Sequence, residues 1–201
     1  MTEPKTILLF GKPGSGKDTQ LPLIEEYIRT NDATHPVVTF LWAKVRDEFM
    51  NGPSFAQKRT RELTSAGELL PKFLAPAIWT YALLDLLHDN EHLIVGGLPR
   101  QLMEAELFES LLAFYGRTNV IVINLEISEE DARTRIRERA QKENRADDSA
   151  EERIDRRMEW FKTDTLPVLE FFKKSDRYRV IDIDAAGSVE EVSARIAESL
   201  T

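Results

Sequence analysis

The residues best suited to chemistry form one glycine-rich stretch, Gly11–Gln20, close behind the apolar run Ile7–Phe10. Glycines let successive backbone N–H groups converge on one anion, because no Cβ blocks the approach. A helix that follows such a turn points its positive dipole end and its unpaired N–H groups at the same anion. Lys17 adds a full positive charge that can reach the outer phosphates of a nucleotide. The stretch therefore predicts a phosphate-binding loop between a short buried strand and a helix.

The spacing from Gly11 to Lys17 fits the P-loop pattern, except at the position that follows the lysine. Asp18 stands where the pattern has serine or threonine, and the hydroxyl comes one residue later, at Thr19. The alternative is a glycine-rich turn that binds no ligand. The strand predicted before the turn and the helix predicted after it favour the phosphate loop.

A second basic cluster lies further along the chain, where eight arginines and seven acidic residues fall within residues 133–157. Arg135 and Arg139 are four residues apart and therefore share one face of a helix. A pair of solvated, salt-bridged helices would show the same mixture of charges, so that alternative stays open. Nucleic-acid binding is disfavoured, because the acidic residues interleave with the arginines and no aromatic residue lies among them.

Apolar, strand-like segments alternate with helical patterns along the chain. Strands are predicted at 6–10, 36–41, 92–96, 119–125 and 178–183, and helices at 16–30, 42–90 in several pieces, 101–116, 128–143, 150–174 and 188–200. This alternation predicts an α/β fold with a central, mainly parallel five-stranded sheet between helical layers. The segment 42–90 is too long for one crossover helix and is broken at Asn51–Pro53, Gly67 and Pro71, which indicates an inserted helical lobe.

The composition limits the classes of function. With 201 residues and 42% hydrophobic content, the chain is expected to fold as a single domain over 1–201. A net charge of −8 argues against a general nucleic-acid or membrane-surface binder. The sequence has no cysteine, no signal-peptide pattern and no apolar run long enough for a membrane span. We therefore expect a cytoplasmic protein, a monomer, that binds neither nucleic acid nor membrane.

The loop Gly11–Gln20 resembles the phosphate loop of adenylate kinases and related nucleoside monophosphate kinases. Other stretches agree with motifs of that family: Arg46–Gly52, Gly67–Pro71, Gly96–Arg100, Arg145–Asp148 and Asp184–Val192. The resemblance runs from about residue 5 to residue 200. It implies a P-loop NTPase three-layer sandwich with a helical acceptor-binding lobe at 42–90. It also implies a short lid at 138–150 that lacks the zinc-bearing insert of longer members.

The resemblance also implies which residues form the site. The donor ATP would be held by Gly14, Ser15, Gly16, Lys17, Asp18 and Thr19 and by the backbone around Gly187. The acceptor would contact Arg46, Leu70, Gly97, Arg100 and Glu104. The catalytic groups around the transferring phosphoryl group would be Lys17, Arg100, Arg135, Arg139, Arg145 and, of the neighbouring pair at 156 and 157, Arg157. No general base is expected, since a monophosphate oxygen is already anionic.

Three departures from the family pattern lie in the predicted acceptor half. Leu41, Trp42 and Ala43 stand where the family has Thr-Gly-Asp, and Trp42 either stacks on a base or fills the core. Gly96 replaces an aspartate that organises the water shell of Mg²⁺ in the family. Glu104 replaces a glutamine that reads the adenine edge, and a carboxylate accepts hydrogen bonds but donates none.

Asp18 suggests a compensation for the acid that is absent at Gly96. We hypothesise that Asp18 restores negative charge beside the metal from the other side, as an indirect metal ligand. The alternative is that Asp18 only complements the dipole of its helix and points away from the site.

The predicted function is an ATP- and Mg²⁺-dependent phosphotransferase that acts on a nucleoside monophosphate, with ATP + AMP = 2 ADP as the default. A P-loop kinase for a different small acceptor is the first alternative, favoured by the departures at 41–43 and at Glu104. A nucleotide-binding homologue without catalysis is the second, favoured by Gly96.

Overall fold

The computed structural model describes residues 3–88, 90–142 and 151–201. It has a five-stranded sheet in which every neighbouring pair is parallel, in the order β2-β3-β1-β4-β5. The strands are β1 Thr6–Gly11, β2 Val37–Leu41, β3 His92–Gly96, β4 Val120–Glu126 and β5 Tyr178–Asp184. The predicted α/β class and the predicted sheet are confirmed, and the strand ends differ from the predicted ones by at most one residue.

Helices connect the strands. They are α1 Lys17–Asn31, α2 Trp42–Met50, α3 Phe55–Ser65, α4 Leu74–Leu86, α5 Leu102–Phe114, α6 Glu129–Lys142, α7 Glu151–Trp160, α8 Leu166–Lys173 and α9 Val189–Leu200. Helices α2, α3 and α4 occupy the predicted insertion between β2 and β3. Within the described ranges, no helix is long and apolar enough to cross a membrane.

The three central strands, β1, β3 and β4, are buried on both faces, as their apolar residues predict. Along β1, Leu8 and Phe10 face a core that includes Trp79 of α4 and Phe108 of α5. Ile7 and Leu9 face the opposite core, which is built from α1, α6, α7 and α9. Successive side chains of a strand point to opposite faces, so this alternation divides the molecule into the three predicted layers.

The helix predicted over 150–174 is interrupted in the structure. A π-helical segment at Phe161–Thr165 separates α7 from α8. The N–H of Leu166 bonds to the carbonyl of Phe161, five residues back. The next residue, Pro167, has no N–H to donate to the carbonyl four residues before it, so the regular ladder cannot continue through this point. The sequence pattern showed the apolar face of the helix but not this widening.

The predicted cap of the last helix is confirmed. Ser188 is the N-cap of α9 and accepts the N–H of Glu191 at 3.2 Å, while the Glu191 side chain accepts the N–H of Ser188 at 2.8 Å. This reciprocal pair is a capping box. It fixes the direction in which the chain leaves β5 and enters α9.

The carboxyl ends of the strands place the candidate residues along one edge of the sheet. The phosphate loop follows β1, Trp42 follows β2, the segment Gly97–Arg100 follows β3, α6 follows β4, and Gly187 follows β5. Parallel strands bring all these ends to the same side of the molecule, and in open α/β sheets ligands bind in that crevice.

Candidate active site

The glycine-rich loop adopts the backbone conformation that an anion cradle requires. Gly14 and Gly16 have φ values of 83° and 91°, in the left-handed region that favours glycine. A Cβ on Gly14 would lie 2.3 Å from the carbonyl oxygen of Ala132 in the first turn of α6. The loop therefore packs directly on α6, and Gly14 is needed both for its conformation and for this contact.

Lys17 is the first residue of α1 and lies over the loop. Its ammonium donates to the carbonyls of Gly11 at 2.6 Å and Lys12 at 3.0 Å. Desolvation by the surrounding loop and helices lowers the pKa of Lys17 to about 7, and the charges of nearby arginines contribute in the same direction. A group with such a pKa gains its full charge when a phosphate arrives, since a nearby negative charge favours the protonated form.

Three of the predicted arginines act electrostatically on this lysine, and a fourth, Arg46, acts on Arg100. Arg100, Arg157 and Arg139 lie close enough for their charges to lower the pKa of Lys17. Desolvation, followed by the charges of Arg46 and Arg157, lowers the pKa of Arg100. Basic groups from the segment after β3, from α2, from α6 and from α7 thus converge above the loop. Arg145 lies outside the described residues, and its role stays a prediction.

Arg135 lies at the other end of the same helix face, beside the loop after β5. Its guanidinium donates to the carbonyl of Gly187 at 3.0 Å, so an arginine predicted to be catalytic and the glycine predicted to border the donor nucleotide are brought together. The Gly187 loop is also held by Arg195, which donates to the carbonyls of Asp184 at 2.9 Å and Ala186 at 2.7 Å. The conformation of this loop is therefore fixed by side chains from α6 and α9.

Arg100 and Glu104 hold the turn after β3 in shape. The Arg100 Nε donates to the carbonyl of Gly97 at 2.7 Å, and the Arg100 backbone N–H donates to Glu104 Oε2 at 2.6 Å. Glu104 is buried, and this burial raises the pKa of its carboxyl group above the usual range. The structure thus gives Glu104 a backbone-capping role at the start of α5, while a contact to an acceptor base stays a prediction.

The comparisons with known proteins agree over nearly the full chain. The adenylate kinase family model matches residues 9–177. Adenylate kinase 1 of Schistosoma mansoni is 32% identical over 200 residues, which is all of this chain and 94% of the relative. The chain belongs to the adenylate kinase family. The adenylate kinase of Porphyromonas gingivalis is 33% identical over 193 residues, 95% of this chain and 93% of its own. That of Bacteroides thetaiotaomicron is 29% identical over 195 residues, 96% of this chain and 97% of its own.

Trp42, one of the departures from the family pattern, belongs to the core. Its side chain is buried, with 5% of its surface exposed, and it packs with Leu98 and Phe40 in the cluster that also holds α4 and α5. Of the two possibilities that the sequence left open for Trp42, core packing is the one that the structure supports. Of the other residues predicted to contact the acceptor, Arg46 bonds through its guanidinium to Asp47 at 2.6 Å and Leu70 is half-buried, while their contact with an acceptor stays a prediction.

Gly96 ends β3 at the position where the family has an aspartate. A Cβ on Gly96 would lie 2.3 Å from Cδ1 of Leu21, a buried residue of α1. The space that a longer side chain would need at Gly96 is therefore filled by Leu21. Beside Gly96, the apolar side chain of Leu21 from α1 occupies the space next to the backbone.

The described residues do not form a metal site of their own. Among them, no group of three acidic, histidine or cysteine side chains could hold an ion. Asp18 is exposed in the first turn of α1, and its charge acts on both Lys17 and Arg100. One carboxylate and nearby hydroxyl groups suit a Mg²⁺ ion that arrives with nucleotide phosphates, because Mg²⁺ binds through few protein oxygens and keeps several waters. The residues present therefore fit such an ion.

The arginines of α6 and α7 include two groups. Some form ion pairs with acidic side chains, and others lie near Lys17. Arg133 forms ion pairs with Glu129 at 2.9 Å and Asp155 at 2.7 Å, and Arg137 pairs with Glu151 at 2.7 Å. The first pair lies within α6, and the other two join α6 to α7. The salt-bridged helix pair that the sequence left open is thus present, and Arg139 and Arg157 lie on the side that acts on Lys17.

Sequence reasoning missed two residues that support the donor end. Gln20 is buried and donates from Nε2 to the carbonyl of Val189 at 2.9 Å, which ties α1 to the first turn of α9. Gln20 is the last residue of the phosphate-loop stretch Gly11–Gln20, and this position could have identified it from the sequence. Arg195 gave no such signal, because a single arginine on an amphipathic helix is ordinarily a surface residue.

Proposed function

We propose that this adenylate kinase family member transfers the terminal phosphoryl group of ATP to AMP and yields two molecules of ADP. A phosphate oxygen of AMP forms the new bond to the γ-phosphorus, and the bond from that phosphorus to the β–γ bridging oxygen breaks. The electron pair stays on the leaving ADP. No proton has to be removed from the nucleophile, since the AMP phosphate is already anionic.

The observation that carries this proposal is the convergence of Arg100, Arg139 and Arg157 on Lys17 above a main-chain cradle. Phosphoryl transfer requires alignment of two nucleotides and positive charge around the equatorial oxygens. Lys17 and Arg139 would neutralise the donor phosphates, and Arg100 and Arg46 the acceptor phosphate. Arg157 lies near both Lys17 and Arg100, so it suits the transferring group.

The proposal includes the arrangement of the chain. One domain over 1–201 would carry the acceptor lobe at 42–90 and the short lid at 138–150, and the closure of both would exclude water from the crevice. Arg135 and the Gly187 backbone would contact the donor purine. The monomeric state, the cytoplasmic location and the lack of nucleic-acid or membrane partners stay predictions from composition.

Mg²⁺ bound with ATP would neutralise part of the phosphate charge, and Asp18 would act near it through water. We expect Asp18→Ala to raise the Mg²⁺ concentration needed for half-maximal turnover about threefold, the effect of losing one carboxylate near an exposed ion. Binding of Mn²⁺ to the ATP complex, followed by electron paramagnetic resonance, should weaken in the same variant. An unchanged metal requirement and unchanged Mn²⁺ binding would contradict a role for Asp18.

A panel of nucleoside monophosphates with ATP and Mg²⁺ tests the function. Transfer to AMP in preference to CMP, UMP and GMP is expected. The capping role of Glu104 and the burial of Trp42 favour one alternative, a different small acceptor at the same crevice. Hydrolysis or binding of ATP without transfer to any monophosphate would contradict the proposal and favour that alternative or a non-catalytic role.

A further inference from the structure

Two neighbouring arginines of α7 point to different parts of the molecule. Arg157 acts on the pKa of Lys17 and therefore lies near the phosphate loop. Arg156 instead donates from Nη1 to the carbonyl of Gly67 at 3.2 Å, a contact between positions 89 residues apart in the chain. The Arg153 guanidinium, one turn earlier, lies about 4 Å from the position that a Cβ on Gly67 would take. Two cationic side chains of α7 thus border the same glycine.

Gly67 ends α3 in a way that leaves its carbonyl available for this contact. Its φ is 68°, its N–H bonds to the carbonyl of Thr64 at 3.1 Å, and the N–H of Glu68 bonds to the carbonyl of Leu63 at 2.9 Å. These two bonds form a Schellman motif at the helix end. The carboxyl end of a helix carries partial negative charge, so it favours nearby cations such as these guanidinium groups.

We propose that Arg156 is a positioning residue that holds the segment 67–71, and with it the α3–α4 connection, against α7. The proposal rests on the proposed function, in which this segment borders the acceptor pocket. Because Arg156 and Arg157 are adjacent, a single helix then fixes the acceptor lobe and supplies charge to the transferring phosphoryl group. Arg156 itself touches neither nucleotide.

Steady-state kinetics of Arg156→Ala test this role. We expect the KM for AMP to rise about fivefold, the effect of one lost charge-assisted hydrogen bond at an exposed position, while the KM for ATP and kcat change less than about twofold. Arg156→Lys keeps a cationic donor and should recover most of the acceptor affinity. Arg59→Ala is the matched control, because Arg59 is an exposed arginine of α3 that pairs with Glu62 within its own helix. Its kinetic constants should stay at the wild-type values.

Amide hydrogen exchange tests the contact independently of turnover. In the protein without nucleotide, the amides of Gly67 and Glu68 should exchange about fivefold faster in Arg156→Ala than in wild type, and at the wild-type rate in Arg59→Ala. Unchanged exchange would overturn the proposed restraint. Faster exchange with an unchanged KM for AMP, or an equal rise in the KM for ATP, would overturn the positioning role. If wild type does not phosphorylate AMP, the proposed function fails, and the exchange rates still decide whether Arg156 restrains the segment.

Discussion

At the predicted donor end of the crevice the glycine backbone shapes the phosphate loop, whereas at the predicted acceptor end side-chain contacts shape the structure. The donor end depends on the φ values of Gly14 and Gly16 and on the loop around Gly187, where Arg135 donates to the carbonyl of Gly187 and Arg195 donates to that of Ala186. It keeps the family pattern at every position except Asp18. A cradle of this kind tolerates almost no change, because each added Cβ meets backbone or strains the loop.

The acceptor end has changed at several positions without loss of the fold. Trp42 fills the core, Glu104 caps a backbone turn, and Leu21 takes the space beside Gly96. At Gly96 the small residue and the large side chain of Leu21 fit together, and cores tolerate such matched volumes better than they tolerate voids or added volume. The difference teaches that the glycine loop is constrained by its backbone conformation, whereas the residues after β2 and β3 are held by side-chain packing and by a capping hydrogen bond.

The largest expected effect comes from the charge on the donor cradle. Lys17→Met should reduce kcat at least about 100-fold, since it removes a positive group placed where charge develops in the transition state. The thermal unfolding midpoint should change little. The measurement is a coupled steady-state assay. Lys58→Met, at an exposed position of α3, is the control and should retain full activity. A loss below about tenfold in Lys17→Met would contradict the role of this ammonium.

Two alanine substitutions in the same loop separate strain from steric conflict. Gly14→Ala and Gly16→Ala both place alanine at a positive φ, but only the first brings Cβ to 2.3 Å from a backbone oxygen. Gly16→Ala should cost about 1–2 kcal/mol of unfolding free energy from strain alone, and Gly14→Ala about 3 kcal/mol or more. Urea denaturation without nucleotide measures both. Equal destabilisation would show that the contact with α6 does not constrain the donor loop.

A double-mutant cycle tests the repacking near the acceptor end. Leu21→Ala removes a buried side chain and should cost about 2–4 kcal/mol, and Gly96→Ala should cost about 1–3 kcal/mol because its Cβ meets Leu21. In the double variant the new methyl group occupies part of the space that Leu21 leaves. Its cost should therefore be about 1–2 kcal/mol smaller than the sum of the single costs. The free energy of unfolding from urea titration gives the coupling, and additive costs would contradict the repacking.

The sheet and most helices could be predicted from the sequence because each strand is a short apolar run and each helix has one apolar face. Phe10 and Leu8 alternate with Leu9 and Ile7, and that period of two is visible in the residues. The π-helical segment before Pro167 could not be predicted. Whether a proline kinks a helix, ends it or widens it depends on the packing of the flanking turns, which the local pattern does not contain.

Residue type and spacing placed Lys17 and Arg100 in one predicted site, and in the structure the two lie close enough for their charges to interact, while their catalytic roles stay predictions. The candidate site was not predictable where a side chain could serve two purposes. Glu104 could face a base or cap a backbone turn, and only the position of the Arg100 N–H shows the second. Arg133 and Arg139 differ by less than two helical turns, yet one pairs with acids of α7 and the other acts on Lys17.

The smallest expected effect is the number of protons that the protein takes up when a nucleotide binds. This number distinguishes the donor end from the acceptor end most directly. With a pKa of about 7, Lys17 in the free protein is roughly one-tenth protonated at pH 8. The phosphates of ATP should raise its pKa well above 8, so ATP binding at pH 8 should take up about 0.9 proton. As pH falls below 7 the uptake by Lys17 disappears, because both states are then protonated. Calorimetric titrations in buffers with different ionisation enthalpies give this number.

The same experiment with AMP provides the contrast. Burial lowers the pKa of Arg100, but a guanidinium group is not deprotonated in proteins, so no proton uptake comes from this side chain. AMP binding at pH 8 should therefore take up almost no proton, and ATP binding to Lys17→Met should lose the uptake seen with wild type. Equal uptake for AMP and ATP, or unchanged uptake in the variant, would mean that the titrating group is not the ammonium of the donor cradle. The two ends of the crevice would then not differ in the way that their charges indicate.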